Sequence, residues 1–301
     1  MGLESFGTHS ERHLRHTRAM FVLVLLIATN MVAGCGSTVG ASQIAPTPAP
    51  ANTPQPATAT PVVQPTNQLL PASVRVPILM YHHISDNARW PDDGRMKRLT
   101  VQPEQFTAQL DYLQQAGYTT ITLDELATAL QTGTPMPAKP VILTFDDGYK
   151  DFATKAFPLL QRYQAKATIF IISGRVDETD YLTWDDLRTL AASPLITVGA
   201  HTRNHPQLTK IKPEHSFEEL EQGKTDPETN LQISVHHLAY PSGNYNDTTV
   251  AQATKIGYTT AVTVHYGVDE RATKLLRLPR VFVNGGTPLA DFVEGLEGKR
   301  T

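Results

Sequence analysis

The sequence predicts an α/β fold: a parallel sheet with helical crossovers that closes on itself as a barrel. Three observations predict it. From Ser73 onward, apolar runs of strand length alternate with longer amphipathic segments, the pattern of repeated βαβ units. Eight such runs occur, enough for a (β/α) barrel, which a chain of 301 residues can accommodate. Several runs, such as Val141-Ile142-Leu143-Thr144-Phe145, are β-branched and apolar on successive residues, as strands covered on both faces must be.

Taken in order, the first 35 residues read as an export leader and not as part of the fold. Arg12, Arg15 and Arg18 precede the apolar run 19–28, and Met31-Val32-Ala33-Gly34-Cys35 follows. Small residues ahead of the single cysteine resemble the lipobox of bacterial lipoproteins. That resemblance implies a lipidated Cys35 and a location outside the cytoplasm, tethered to the outer face of a bacterial membrane. An uncleaved anchor is the competing reading, although the run falls short of the about 20 residues that span a bilayer. With one cysteine, no disulfide framework exists. Residues 36–72 are rich in Pro, Ala and Thr with hardly any charge, which predicts a disordered, extended spacer reaching on the order of 100 Å at about 3.1 Å per residue.

The folded domain is expected over 73–301. Strands are expected at 76–84, 119–123, 141–145, 167–173, 195–200, 237–240, 258–264 and 278–283. Helices are expected at 103–116, 123–132, 151–163, 184–192, 213–231 and 247–256, with Pro103 and Pro213 in first turns, where a missing N–H does no harm. The net charge of −3 and pI near 6.4 argue against a nucleic-acid partner. A monomer is expected.

Chemistry concentrates at two strand ends. Asp146 and Asp147 close the run 141–145 in LTFDDGYKD, where two like charges beside a core repel each other and resist dehydration unless something compensates. A plain Asp-Gly turn is the simpler alternative. After the run 195–200 come His201 and His205, a spacing that on a helical turn puts the Cβ atoms about 5–6 Å apart. Two imidazoles and one carboxylate form a set that holds a catalytic divalent metal with open positions.

TFDDG followed some fifty residues later by His201-Thr202-Arg203-Asn204-His205-Pro206 resembles the polysaccharide deacetylases, carbohydrate esterase family 4, over roughly residues 78–283. The resemblance implies a distorted, incomplete (β/α) TIM-like barrel. It implies that Asp147, His201 and His205 hold a divalent metal, zinc first with Co, Ni or Mn as alternatives, and that Asp146 is the general base. The ion's charge would cancel the carboxylate repulsion and acidify a water for attack on an N-acetyl carbonyl. Successive residues of an extended segment point opposite ways, so Asp147 is expected to face the metal and Asp146 the water. A backbone N–H near Tyr149 would hold the oxyanion.

A third segment, His237-Leu238-Ala239-Tyr240-Pro241-Ser242-Gly243, departs from the family pattern R-x-P-[YF]-G: Ala239 stands where the base-orienting arginine should be, and Ser242 replaces the aromatic. A-Y-P-x-G instead resembles the branch acting on poly-N-acetylglucosamine, which also tends to carry M-Y-H near the domain start, as in Met80-Tyr81-His82-His83. Arg280 is the expected substitute for the missing arginine. The family's L-x-H acid is not found, which leaves His265, His82 or His83. Tyr149, Tyr240, Pro241 and His82 are the expected substrate contacts. Trp90 and Trp184 read as packing or rim residues, Asp185 and Asp186 as helix N-terminal charges, and His215 and His236 as solvated.

The implied activity is removal of N-acetyl groups from an extracellular polymer containing N-acetylglucosamine. Poly-N-acetylglucosamine, chitin oligomers, peptidoglycan and acetyl-xylan follow in that order. A carbohydrate-binding matrix or cell-wall protein that kept the fold without turnover is the alternative. A glycoside hydrolase using both aspartates fails, because its carboxylates must stand about 5–9.5 Å apart across the bond.

Overall fold

Seven parallel strands close the sheet. In the computed structural model, which describes residues 73–86 and 94–299, they are β1 (Ile78–Tyr81), β2 (Pro140–Phe145), β3 (Ala167–Ile171), β4 (Ile196–Ala200), β5 (His237–Ala239), β6 (Thr260–Tyr266) and β7 (Leu278–Phe282). Their order is β1-β7-β6-β5-β4-β3-β2, and β2 returns to β1 in the register Ile78↔Ile142 to Tyr81↔Phe145. The leader with Cys35, the spacer and Trp90 lie outside the described residues.

Seven strands close where eight were expected, for a local reason. The run 119–123 yields only Thr119–Thr120, paired with Pro140 and Val141 at the start of β2. Thr122 then caps a helix: its side chain accepts from Glu125 N, and the Glu125 carboxylate accepts from Thr122 N. This capping box ends the extended run in favour of a helical turn. The run 76–84 also divides, with His82 leaving the strand and His83–Ile84 pairing with Thr100–Val101.

The helices that pack around or beneath the barrel are α1 (Pro103–Gln115), α2 (Leu123–Thr132), α3 (Phe157–Tyr163), α4 (Trp184–Ala191), α5 (Pro213–Leu231), α6 (Asp247–Ile256) and α7 (Leu289–Leu296). The expected helix 151–163 begins as a wider π turn at Phe152–Ala156, and Pro158, which has no N–H to donate, follows at once. Helix α7 and a short helix at Gly94–Leu99 escaped the sequence reading.

Strand alternation separates a core inside the barrel from apolar clusters outside it. Ile78, Ile142, Phe170, Ala239, Val262 and Leu278 come from six strands and fill the lumen, closed below by Leu123, Leu126 and Leu130 of α2. Leu79, Tyr81, Val141, Leu143, Phe145, Ile169, Val198 and Val281 face outward under the helices. On the same parity the lumen rises from Ile142 to Thr144 and from Leu278 to Arg280, so its upper layer is polar yet buried. Asp146 is next in that series. The strand ends therefore deliver charged groups to the mouth of an otherwise apolar barrel.

Candidate metal centre and catalytic site

Strand β2 stops at Phe145, and the two carboxylates diverge in the turn that follows. Asp147 adopts φ 74° and Gly148 φ 78°. The expectation that an extended segment aims the two carboxylates apart is corrected: a left-handed turn does so, with Asp146 continuing the lumen series and Asp147 swung out of it. The histidine loop after β4 is corrected likewise. Residues 201–206 form no helical turn, because Thr202 (φ 63°) and His205 (φ 58°) are both left-handed. Three non-glycine residues in this conformation, one of them β-branched, cost on the order of 1–3 kcal/mol each. Strain of this kind persists only where surrounding contacts impose it.

These turns bring three donors together. Asp147, His201 and His205 each offer a ligand atom, and these atoms lie within 4.8 Å of one another. His201 Nε2 is 3.4 Å and His205 Nε2 3.6 Å from Asp147 Oδ1, and the two rings meet edge to face at 4.7 Å. His201 Nδ1 lies 2.7 Å from Ala239 O; a carbonyl only accepts, so Nδ1 carries a hydrogen and Nε2 is the ring nitrogen turned toward Asp147. Two imidazoles and a carboxylate, one ring oriented by a backbone carbonyl, suit a divalent transition metal.

Electrostatics agree with a site that wants a cation. Burial works against the charge on Asp147, yet the His201 hydrogen bond and the surrounding imidazoles win and hold its carboxyl well below the usual range. Burial likewise opposes protonation of His201, but Asp147 and Asp146 raise it, while burial and His201 push His205 down to about 4. Two rings thus compete for one proton beside one carboxylate. A divalent ion would replace that proton.

Asp146 is held differently. Arg280 Nη1 donates to Oδ1 and Nη2 to Oδ2, both at 2.7 Å, a parallel two-bond pair in which both residues are almost fully buried. Arg280 is itself fixed by Nε to Thr263 O at 2.8 Å and Nη1 to Thr144 Oγ1 at 3.0 Å. Burial raises the Asp146 pKa, but the guanidinium outweighs it and keeps the carboxylate ionised.

His82 sits beside this pair. Burial lowers its pKa against the opposing pull of Asp146 and Asp147, and its Nδ1 is buried with no partner among the described residues. Tyr149 contributes more than a backbone group: its hydroxyl is hydrogen-bonded to Asp147, and burial plus that charge keep the phenol protonated. The Tyr149 ring stacks at 3.6 Å on His83, whose Nδ1 is 2.6 Å from Asp151 Oδ2, and lies 5.1 Å from Tyr181.

Other expectations need correction. His265 is exposed and lies edge-on to Tyr245 at 5.9 Å. The strand β6 runs on to Tyr266 and carries His265 out past the lumen. Tyr240, expected to contact substrate, is instead fully buried, stacked on Tyr245 at 4.9 Å with its hydroxyl donating to Leu276 O. Pro241 is buried at the head of a tight turn in which Ser242 has φ 53°. Three expectations hold: Trp184 packs against the outer core, Asp186 completes a capping box with Thr183 in a helix's first turn, and His215 is exposed beside Glu218. Thr144, Thr263 and the hydroxyl of Tyr149 were missed. For Thr144 the signal was present, since it shares the lumen parity of Asp146.

Comparison with known proteins follows the same lines. The family model for polysaccharide deacetylase matches residues 133–261. The Bacillus subtilis (strain 168) protein YxkH, which carries the same family description, is 32% identical over 212 residues, covering 70% of this chain and 72% of that one. The solved structure of the Streptococcus pyogenes deacetylase PplD in complex with acetate superposes with a TM-score of 0.68 at 31% identity, over 74% of this chain and 99% of that one. The poly-beta-1,6-N-acetyl-D-glucosamine N-deacetylase of Escherichia coli (strain K12) is 25% identical over 72% of this chain, which spans 38% of that longer protein.

Proposed function

This chain belongs to the polysaccharide deacetylase family, and from that premise we propose that it is a metal-dependent hydrolase removing N-acetyl groups from poly-N-acetylglucosamine outside the cytoplasm. The observation that carries the reading is the junction of two sets: Asp147, His201 and His205 converging on one point, and Asp146 locked in place by Arg280. A protein that only bound sugar would have no use for a buried, ionised base next to a metal site.

Asp147, His201 and His205 would hold the ion, with zinc the first candidate and Co, Ni or Mn compatible with the same donors. Such an ion, when bound, supplies Lewis-acid polarisation and makes water more acidic. Asp146 takes the proton of the attacking water, since each carboxylate oxygen keeps lone-pair capacity beyond its bond to Arg280. Arg280 orients that carboxylate. The Tyr149 N–H receives the developing oxyanion. His82 gives a proton to the nitrogen as the C–N bond breaks, releasing acetate and a free amine. Proton transfer by each such group contributes typically 10²–10⁴-fold.

Poly-N-acetylglucosamine is preferred over chitin, peptidoglycan and acetyl-xylan because relatives carry that name and because A-Y-P-x-G and M-Y-H recur in this chain. A lipid on Cys35 and the 36–72 spacer would hold the domain off the membrane; Cys35→Ser should release the protein into the medium, and retention in the membrane fraction would refute the lipid anchor.

The deciding assay is acetate release from β-1,6- and β-1,4-linked N-acetylglucosamine oligomers, with and without chelator, against Asp146→Asn. Release from the β-1,6 series that chelator and the variant abolish is expected. Absence of release from any polymer by metal-loaded protein would leave a binding protein.

A further inference from the structure

The loop that carries the two histidines is held by one face of a single helix. Helix α5 presents Glu219, Gln222, Gly223 and Asp226, a stripe spaced by three, four and seven residues, to the segment 202–204. Glu219 meets it with both oxygens: Asn204 N donates to Oε2 and Asn204 Nδ2 to Oε1, each at 2.7 Å. Arg203 N donates to Glu219 O at 3.2 Å, and Arg203 Nη1 to Gln222 Oε1 at 2.9 Å. Gly223 lets the helix approach: a Cβ there would lie 2.6 Å from Thr202 Cα and 2.8 Å from its carbonyl carbon. Asp226 Oδ2 accepts from Ser173 Oγ at 2.7 Å, while Ser173 N and Gly174 N donate to Thr202 O and Arg203 O from the other side.

This explains the left-handed residues. Thr202 and His205 hold positive φ, a conformation they would leave if free, and within the loop His205 N donates to Thr202 Oγ1 at 3.0 Å. Glu219 closes the loop's middle from outside, between the two histidines. Helix α5 lies beyond the ligands themselves.

We propose that Glu219 is a positioning residue that sets metal affinity, clamping Asn204 so that His201 and His205 converge on Asp147 before the ion arrives. The proposal rests on the reading of those three residues as a metal site. Oriented ligands bind without first having to be ordered, and loss of an outer support typically weakens metal binding by about 10–100-fold.

The test compares Glu219→Ala and Glu219→Gln with Glu218→Ala, an exposed neighbour on the same helix that does not touch the loop. Zinc affinity is measured by competition with a chromophoric chelator, and the melting temperature of each metal-free protein is recorded alongside. Glu219→Ala should bind zinc about 10–100-fold more weakly with the metal-free melting temperature of the control, and Glu219→Gln, keeping one acceptor, should fall between. Asn204→Ala removes the side-chain bond from the loop side and leaves the backbone N–H of residue 204 on Glu219, so it too should fall between the control and Glu219→Ala. Zinc affinity equal to the control in both variants overturns the clamp, as does a fall in metal-free melting temperature that equals the fall with metal bound. Wild-type protein that binds no zinc overturns the metal reading itself, and the clamp with it.

Discussion

Arg280 shows how one side chain can serve stability and chemistry together. It lies in the upper lumen with every donor group directed at Asp146, Thr144 Oγ1 or Thr263 O, and neither it nor Asp146 could be buried alone. Truncating one partner of such a pair leaves a buried unpaired charge and costs about 3–5 kcal/mol. Arg280→Ala should therefore lower the urea midpoint of unfolding and also reduce kcat by roughly 10²-fold or more through a misplaced base. Arg280→Lys should restore neither, since an ammonium cannot make two parallel bonds to one carboxylate. Turnover unchanged in Arg280→Ala would remove its role. His82 is the acid proposed for the leaving nitrogen: an acid must be protonated to act and burial lowers the His82 pKa, so kcat should fall as pH rises through a value below that of an ordinary imidazole, and His82→Gln should lose that limb in a pH–rate profile.

Among elements, β4 is the one whose displacement matters most, because it runs directly into His201. Gly199 on this strand has no room for a side chain: a Cβ would lie 2.6 Å from the Phe170 ring on β3 and 3.1 Å from His237 O on β5. Gly199→Ala should destabilise the barrel by about 1–3 kcal/mol through overpacking. It should also weaken metal binding, because the strand can relieve the contact only by moving its own end; calorimetry with and without zinc separates the two effects. Element boundaries were legible wherever a local device set them. Helices α2, α5 and α6 begin and end where Thr122, Pro213 and Asn246 open them and Gly133, Gln232 and Gly257 stop them. The π turn before α3 and the two-residue remnant at Thr119–Thr120 were not legible, since each is a contest between neighbouring local preferences.

For the whole molecule, two linked equilibria set stability. An ion bound only by the native state adds RT ln(1 + [L]/Kd), about 4 kcal/mol at a thousandfold excess over Kd. Zinc should therefore raise the melting temperature, chelator should reverse the rise, and His205→Ala should abolish it. Glu270 acts in the other direction. Its strand Asp269–Glu270 pairs with Val74–Arg75, its carboxyl is buried with neither oxygen partnered among the described residues, and burial with the Asp269 charge pushes its pKa up to about 9 from 4.5. A raised folded pKa means that the neutral acid fits the fold: its contribution is intact below pH 4.5 and declines by about 1.4 kcal/mol per unit as pH rises toward 9. Glu270→Gln should gain stability over the wild type progressively from pH 5 to pH 8 in urea titrations. A constant difference across that range would refute it.

Read alone, the sequence determined the strand-and-helix alternation, the parallel barrel and the identity of the groups able to carry charge and metal, because hydrophobic period, caps and donor chemistry are properties of neighbouring residues. Only the tertiary structure decided how those groups meet. That Asp147 and the histidine loop turn left-handed, that Arg280 reaches across the lumen to Asp146, and that Tyr240 is buried while His265 is exposed all depend on backbone geometry imposed by packing. The physical reason is that φ above zero at a threonine or an aspartate is unfavourable by itself, and residues 134 positions apart touch only once the sheet has closed.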